Sequence, residues 1–265
     1  MLNLFKNFLI IVLTIINITN AAQYLSDKPD FLKPCNYEDK SFSKCFANNF
    51  QVLFKDWKDG VPGLKTVGKL DPIIVKRIKI VQDPSSGIAL NAILDNVEIR
   101  GASDAIVEEA VMDMQKLTVD VKFTIPKIRF NSNYKGKGNI LSLNFNGNGK
   151  AFFEAENLSM GIHITMKLHD IDDFTFTDIE TLTVNNDKVG DFKIHLDNLF
   201  NGQKDLEETA NLLFNENFRE IYRIMRPVIL QTVEAILKDR LKKVFNYVPS
   251  NFFIANFPKA KDVKQ

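Results

Sequence analysis

Cysteine, histidine and tryptophan are scarce in this chain: two, three and one among 265 residues. Two cysteines, Cys35 and Cys45, leave a single intramolecular pairing, so an oxidising compartment would join them. Closing that short loop stabilises by roughly 2–3 kcal/mol on the chain-entropy account, and it pins an N-terminal segment rather than a core. The histidines give no metal-ligand spacing. His163 and His195 fall on the polar faces of predicted strands, and His169 sits beside Asp170 in a predicted turn. No metal or cofactor is implied. An excess of one charge is also missing: 34 basic residues meet 33 acidic ones, so nothing points to nucleic acid. No Pro/Ser/Gly-rich linker, low-complexity block or phosphate-cradling glycine loop occurs. Long apolar runs are confined to the N-terminus. There Phe8–Ile16 stops short of the ~20 residues a membrane span needs. Lys6 before the run and Ala21-Ala22 after it give residues 1–22 the layout of a secretory signal peptide.

The remaining residues, 23–265, read as one domain, expected to be extracellular, soluble and monomeric, with no stable membrane insertion. The sequon Asn157-Leu158-Ser159 suits that setting and makes Asn157 a candidate glycosylation site.

What is abundant is apolar periodicity. The spacing of Phe42, Cys45, Phe46, Asn49, Val52, Leu53 and Trp57 predicts a short amphipathic helix from Ser41 to about Asp59, ended by Gly60-Val61-Pro62-Gly63. After the break at Leu70-Asp71-Pro72, strands follow. Residues Ile73–Val81 and Ile88–Ile99 are rich in β-branched side chains and are joined by the turn-forming Asp83-Pro84-Ser85-Ser86-Gly87. Leu117, Val119, Val121, Phe123 and Ile125 alternate with polar residues. So do Leu141, Leu143 and Phe145; Leu158, Met160, Ile162, Ile164, Met166 and Leu168; and Phe192, Ile194 and Leu196. Long one-faced antiparallel strands bury one surface and twist strongly. Gly136-Lys137-Gly138 and Gly147-Asn148-Gly149 fall where turns or bulges would set the curl.

From Phe218 to Phe245 one long helix is predicted, started by Asn215 or Asn217 and kinked at Pro227. At about 100° per residue its apolar side chains sweep roughly two-thirds of the circumference, against the stripe of little over ~100° that a surface helix needs. Such a helix calls for enclosure on several sides. The economical fold is α+β: a highly curved antiparallel sheet wrapped around a long C-terminal helix, with a short N-terminal helix and an internal hydrophobic tunnel.

Chemistry finds little footing. Gly101-Ala102-Ser103-Asp104-Ala105 lacks the second glycine of a nucleophile elbow and lies between a strand pattern and a helical one, so an esterase is disfavoured. Asp172-Asp173 reads as a solvated turn. The chain is not expected to be an enzyme. Twenty-two phenylalanines supply apolar area with no polar atom to satisfy. The inward faces and the helix together leave more apolar surface than one helix fills, and a dry cavity for an apolar guest results.

Several motifs resemble one known family over essentially the whole mature length. They are Pro34-Cys35…Cys45, Val61-Pro62-Gly63-Leu64 with Leu70-Asp71-Pro72, and Tyr134…Gly136-Lys137-Gly138 leading to Gly147-Asn148-Gly149. Later come Leu199-Phe200-Asn201-Gly202, Asn211…Phe214-Asn215-Glu216-Asn217-Phe218 and Val248-Pro249 with Phe252-Phe253. In order and spacing they resemble the takeout and haemolymph juvenile-hormone-binding proteins of insects. That resemblance implies a long helix in a curved sheet, a tunnel for a hydrophobic molecule, and an architecture similar to bactericidal/permeability-increasing protein. Phe218 stands where the family usually has tryptophan, and a second disulfide is missing, which favours the takeout-like branch.

The expected function is a secreted carrier, in haemolymph or another extracellular fluid, for a terpenoid such as juvenile hormone or a fatty acid derivative. A lipid- or membrane-surface-binding defence protein is the alternative, and near-neutral charge argues against it. The expected lining comprises Leu53 and Trp57; Leu143, Phe145, Met160, Ile162, Ile164, Phe174 and Phe176; and Phe218, Tyr222, Met225, Ile229 and Val233. Tyr134 and Tyr222 are the candidate head-group contacts, and the disulfide-tied segment is the candidate gate.

Overall fold

The computed structural model describes residues 24–82, 89–140 and 143–263. The predicted signal peptide, the turn at residues 83–87, and Ile88, Leu141 and Ser142 lie outside the described residues.

Helix α1 (Phe42–Asp56) buries Phe42, Phe46 and Asn49. Strands β1 (Ile73–Gln82) and β2 (Ala89–Arg100) pair antiparallel. A single 3-10 turn, Ala102–Asp104, leads to β3 (Ile106–Asp113), a strand where the sequence suggested a helix. Two long strands follow, β4 (Thr118–Ile140) and β5 (Leu143–Ile171), then β6 (Phe174–Lys188) and β7 (Phe192–Leu196). Helix α2 (Lys204–Glu216), which periodicity did not disclose, precedes the long helix α3 (Phe218–Phe245).

One seven-stranded antiparallel sheet runs β1-β2-β4-β5-β6, with β3 beside β4 and β7 beside β5. The β4–β5 ladder extends from Thr118↔Thr165 to Ile140↔Leu143 and is the spine of the molecule. The glycine pairs do not make turns. Gly136 faces Gly147 within that ladder. Gly147 is needed because the segment after β7 crosses there: a Cβ would lie 2.4 Å from Asn198 O and 2.7 Å from Leu199 Cα. The expected turn at Asp172-Asp173 does form, with Asp172 at φ +52°.

The spine carries a reversal that simple alternation misses. Val119, Val121, Phe123 and Ile125 are buried, all odd; further along Ser132, Tyr134 and Gly136 are, all even. On β5 the switch runs from Phe145, Ala151 and Ala155 to Met160, Ile164, Met166 and Leu168. Both reversals fall at Pro126 and Asn157, which stand opposite one another between the pairs Ile125↔Leu158 and Lys127↔Glu156. Proline has no N–H for the ladder. Asn157 takes the left-handed conformation, φ +50°, which asparagine tolerates better than most residues.

The sheet wraps around α3 and is not closed. The helix lies along the seam between the two edge strands, and its polar side chains meet their free backbone groups. On β6, Glu234 accepts from Val184 N at 2.8 Å; Arg226 donates to Asn186 O at 2.8 Å and Lys238 to Glu180 O at 2.8 Å. On the other side, Arg240 donates to Ile74 O of β1 at 3.2 Å, and to Val67 O and Lys69 O. Edge strands left bare invite pairing with other chains, and these contacts cover them.

The same device recurs elsewhere. Asn211 and Asn215 of α2, one helical turn apart, each pair with one residue of β7 as a strand would. Leu196 N–H donates to Asn211 Oδ1 at 2.9 Å, and Asn211 Nδ2 donates back to Leu196 O at 3.0 Å. Asn215 does the same with Ile194, at 3.0 and 2.8 Å. Gln51 of α1 brackets the start of β3 through Ala105 O and Val107 N. So Asn215 covers an edge rather than starting α3. Asn217 is the residue before α3, but its amide closes α2 by donating to Leu213 O at 2.8 Å. The disulfide Cys35–Cys45 joins α1 to a strand-like segment in which Cys35 bridges Ile254, so the first and last described segments are held together.

Candidate functional site

The apolar stripe of α3 winds around the helix. Ile221, Ile224 and Met225 pack on the group formed by Tyr134, Phe145, Ala151, Leu199 and Phe214. Ile236 meets the group under β1 and β2. Leu230, Val233, Leu237, Leu241 and Val244 face the largest group, built on α1, β3–β6 and the C-terminal segment. At 100° per residue, the inward direction turns by roughly 170° from the first of these stretches to the last. The broad apolar coverage of α3 has this cause: at each level one face looks inward, while Arg219, Glu220, Arg223, Gln231, Ala235, Asp239 and Lys242 are exposed.

Burial along α3 is incomplete. Ile221 is its single buried residue. Val228, Ile229, Leu230, Val233 and Ile236 are half-buried, as are Leu94, Ile128, Phe130, Phe153 and Ile162 on the sheet. A close-packed domain usually forms one contiguous core. Here the buried residues form separate groups, with accessible apolar side chains between them.

The residues expected to line a tunnel divide accordingly. Leu53, Trp57, Met160, Ile162, Ile164, Phe174 and Val233 belong to the large group. Tyr134, Leu143, Phe145 and Met225 belong to the group at the far end of the spine. Phe218 stacks on Phe192, 6.4 Å between ring centres, under the guanidinium of Arg219. Ile229 lies half-buried on the helix between the two ends. Phe176 departs from expectation. It pairs with His169 across β5–β6 and is fully buried beneath Tyr24 and His169, on the face opposite Thr177 and Leu168. The N-terminal segment covers that outer face, a tertiary contact that strand periodicity does not encode. Phe174 touches the same Tyr24 ring and Phe252.

Both candidate head-group phenols already donate within the protein. Tyr134 bonds Asp197 O at 2.6 Å, and Tyr222 bonds Asn186 Oδ1. Burial raises the pKa of each, helped at Tyr134 by the charges of Glu207 and Asp197, so both stay protonated. Near Tyr134 the buried Glu207 receives Lys204 Nζ at 2.9 Å, which lowers its pKa.

At the α1 end, a cavity of about 40 Å³ lies among Phe46, Phe50, Met112, Phe245 and Phe253. Its only hydroxyls are those of Thr177 and Ser250, which sequence reading did not single out. Each histidine meets a carboxylate instead of a shared centre: His163 with Asp120, His169 with Asp178, His195 with Asp197. Ser103 donates its hydroxyl to Asp71 at 2.9 Å. Among the described residues no helix is long and apolar enough to cross a membrane.

Comparison with known proteins agrees with this architecture. The structure of Takeout 1 from Epiphyas postvittana superposes with a TM-score of 0.73 over 84% of this chain and 99% of that one, at 21% identity. The circadian clock-controlled protein daywake of Drosophila yakuba is 21% identical over 235 residues, 85% of this chain and 87% of that protein. The sequence model of the haemolymph juvenile hormone binding protein family matches residues 10–255. The chain belongs to that family.

Proposed function

We propose that this protein is a secreted, non-catalytic carrier that holds one long, mostly apolar molecule between α3 and the inner face of the sheet. A terpenoid such as juvenile hormone or a fatty acid derivative fits that description. The observation that carries the reading is the half-buried state of α3: it is flanked by both sheet edges, yet only Ile221 is buried. Apolar side chains that stay partly accessible gain by taking an apolar guest. The cavity of about 40 Å³ is far below the ~300–1,000 Å³ of a ligand pocket. It takes one end of the guest, and the remainder lies along Ile229 and Val233 toward Met225.

The energetics suffice. A ligand burying roughly 400 Å² of apolar area gains on the order of 10 kcal/mol gross at ~25 cal/mol per Å². Lost rigid-body freedom brings this toward micromolar or tighter affinity. Membership of a family named for hormone binding supports the reading. So does the expected signal peptide, and Asn157 is exposed, as a glycan would require. The test is displacement of a lipophilic fluorophore by terpenoids and fatty acid derivatives, with native mass spectrometry of protein purified from its source. Uptake of none of them at micromolar concentration, and no co-purifying lipid, would overturn the proposal.

A further inference from the structure

The hydroxyl pair Thr177–Ser250 has one proton too many. Thr177 Oγ1 and Ser250 Oγ stand 2.8 Å apart, and both residues are buried, at 5% and 6% exposure. Two hydroxyls carry two protons, and a bond between them uses one. Among the described residues the second proton finds no acceptor, since neither side-chain oxygen makes another hydrogen bond there. A buried O–H without an acceptor is costly, and such groups call for a partner. Thr177 and Ser250 line the cavity, where every other lining side chain is apolar. Thr177 points inward by register: it pairs with Leu168, a residue of the same apolar group.

We infer that this pair is the polar anchor of the carrier, donating one hydrogen bond to a neutral oxygen acceptor at the end of the ligand. The inference rests on the carrier reading and narrows its ligand class. No lining residue of the cavity carries a charge, so a carboxylate seated there would be buried without a counter-ion. An ester, ketone or ether oxygen needs only the donor that is present. The anchored end therefore belongs to a neutral lipid, and free fatty acids are discriminated against. One face of the cavity is set by Phe46 and Phe50 of α1, and another by Phe253 and Ile254. The Cys35–Cys45 bridge ties α1 to the segment whose backbone pairs with Ile254, so the anchor is placed by the disulfide-tied end of the fold.

The test compares three ligands of one chain length, a hydrocarbon, its methyl ester and its free acid, by fluorophore displacement from the full chain. Wild-type protein should favour the ester over the hydrocarbon by about five- to tenfold, the contribution of one hydrogen bond, and should bind the acid weakest. The near-isosteric pair T177V/S250A should bring the ester-to-hydrocarbon ratio close to one and leave hydrocarbon affinity within about twofold. An ester labelled with carbon-13 at its carbonyl gives a second readout on wild-type protein alone. Its infrared band should sit at the hydrogen-bonded position when bound. An ester preference that survives in the double variant, a carbonyl band at the free position, or tightest binding of the acid would each overturn the inference. Hydrocarbon bound as tightly as ester by wild type would sink the anchor and spare the carrier. Binding of none of the three would sink both.

Discussion

If the space beside α3 is underfilled, enlarging a side chain there should stabilise the protein. Val233 is half-buried on the inward face of α3, and Val97 is fully buried on β2. On that premise Val233→Phe adds apolar atoms to a site with room for them. Taking that extra area out of water is worth on the order of 1 kcal/mol. In a filled site the same enlargement forces off-rotamer side chains and costs about 1–3 kcal/mol. The two accounts thus differ in sign, by about 2–4 kcal/mol in total. For a domain of this size 1 kcal/mol moves Tm by about 2–4 °C. Urea and thermal unfolding of delipidated protein should show V233F at or slightly above wild type, and V97F lower by about 5 °C or more. Fluorophore displacement should show V233F weakened at least about tenfold toward its ligand, since ring and guest compete for one volume. V233F as destabilised as V97F, with ligand affinity intact, would refute the picture of an unfilled interior.

Three further outcomes follow from named contacts. Asn211→Ala strips the buried N–H and C=O of Leu196 of their partners, so a loss of about 2–4 kcal/mol is expected in urea unfolding; a change within about 0.5 kcal/mol would show that water replaces the amide. Lys204 holds the Glu207 carboxyl below its ordinary value of 4.5. A depressed folded pKa contributes stability in full above the unfolded pKa and loses it as pH falls through the folded one. The stability gap between wild type and Glu207→Gln should therefore be widest near neutrality and close below about pH 4, and a gap constant with pH would contradict the pairing. Replacing Cys35 and Cys45 by serine should cost about 2–3 kcal/mol and speed ligand release, measured by stopped-flow displacement; unchanged release would remove the gating role.

Much of the architecture is legible in local pattern. The span of α3 from Phe218 to Phe245, the start of β1, the helix around Cys45 and the pairing of that cysteine with Cys35 all follow from periodicity, breakers and counting. They are legible because each is decided within one or two turns of chain, by which residues can share a face and which must interrupt it. The takeout-type motifs add the fold, and the superposition of Takeout 1 agrees with it.

What lay beyond the sequence involves two segments meeting. Pro126 and Asn157 reverse the inner face only because the β4–β5 register sets them opposite one another. Asn211 and Asn215 read as ordinary polar helix residues until β7 is seen beside them. Phe176 alternates as an inward residue would, and is buried outward because Tyr24, some 150 positions away, covers it. Thr177 and Ser250 become a site only when β6 and the C-terminal turn close on the same cavity. Periodicity reports which side of an element is apolar; what lies against that side is settled by chain closure over long distances, and only the tertiary structure decides it.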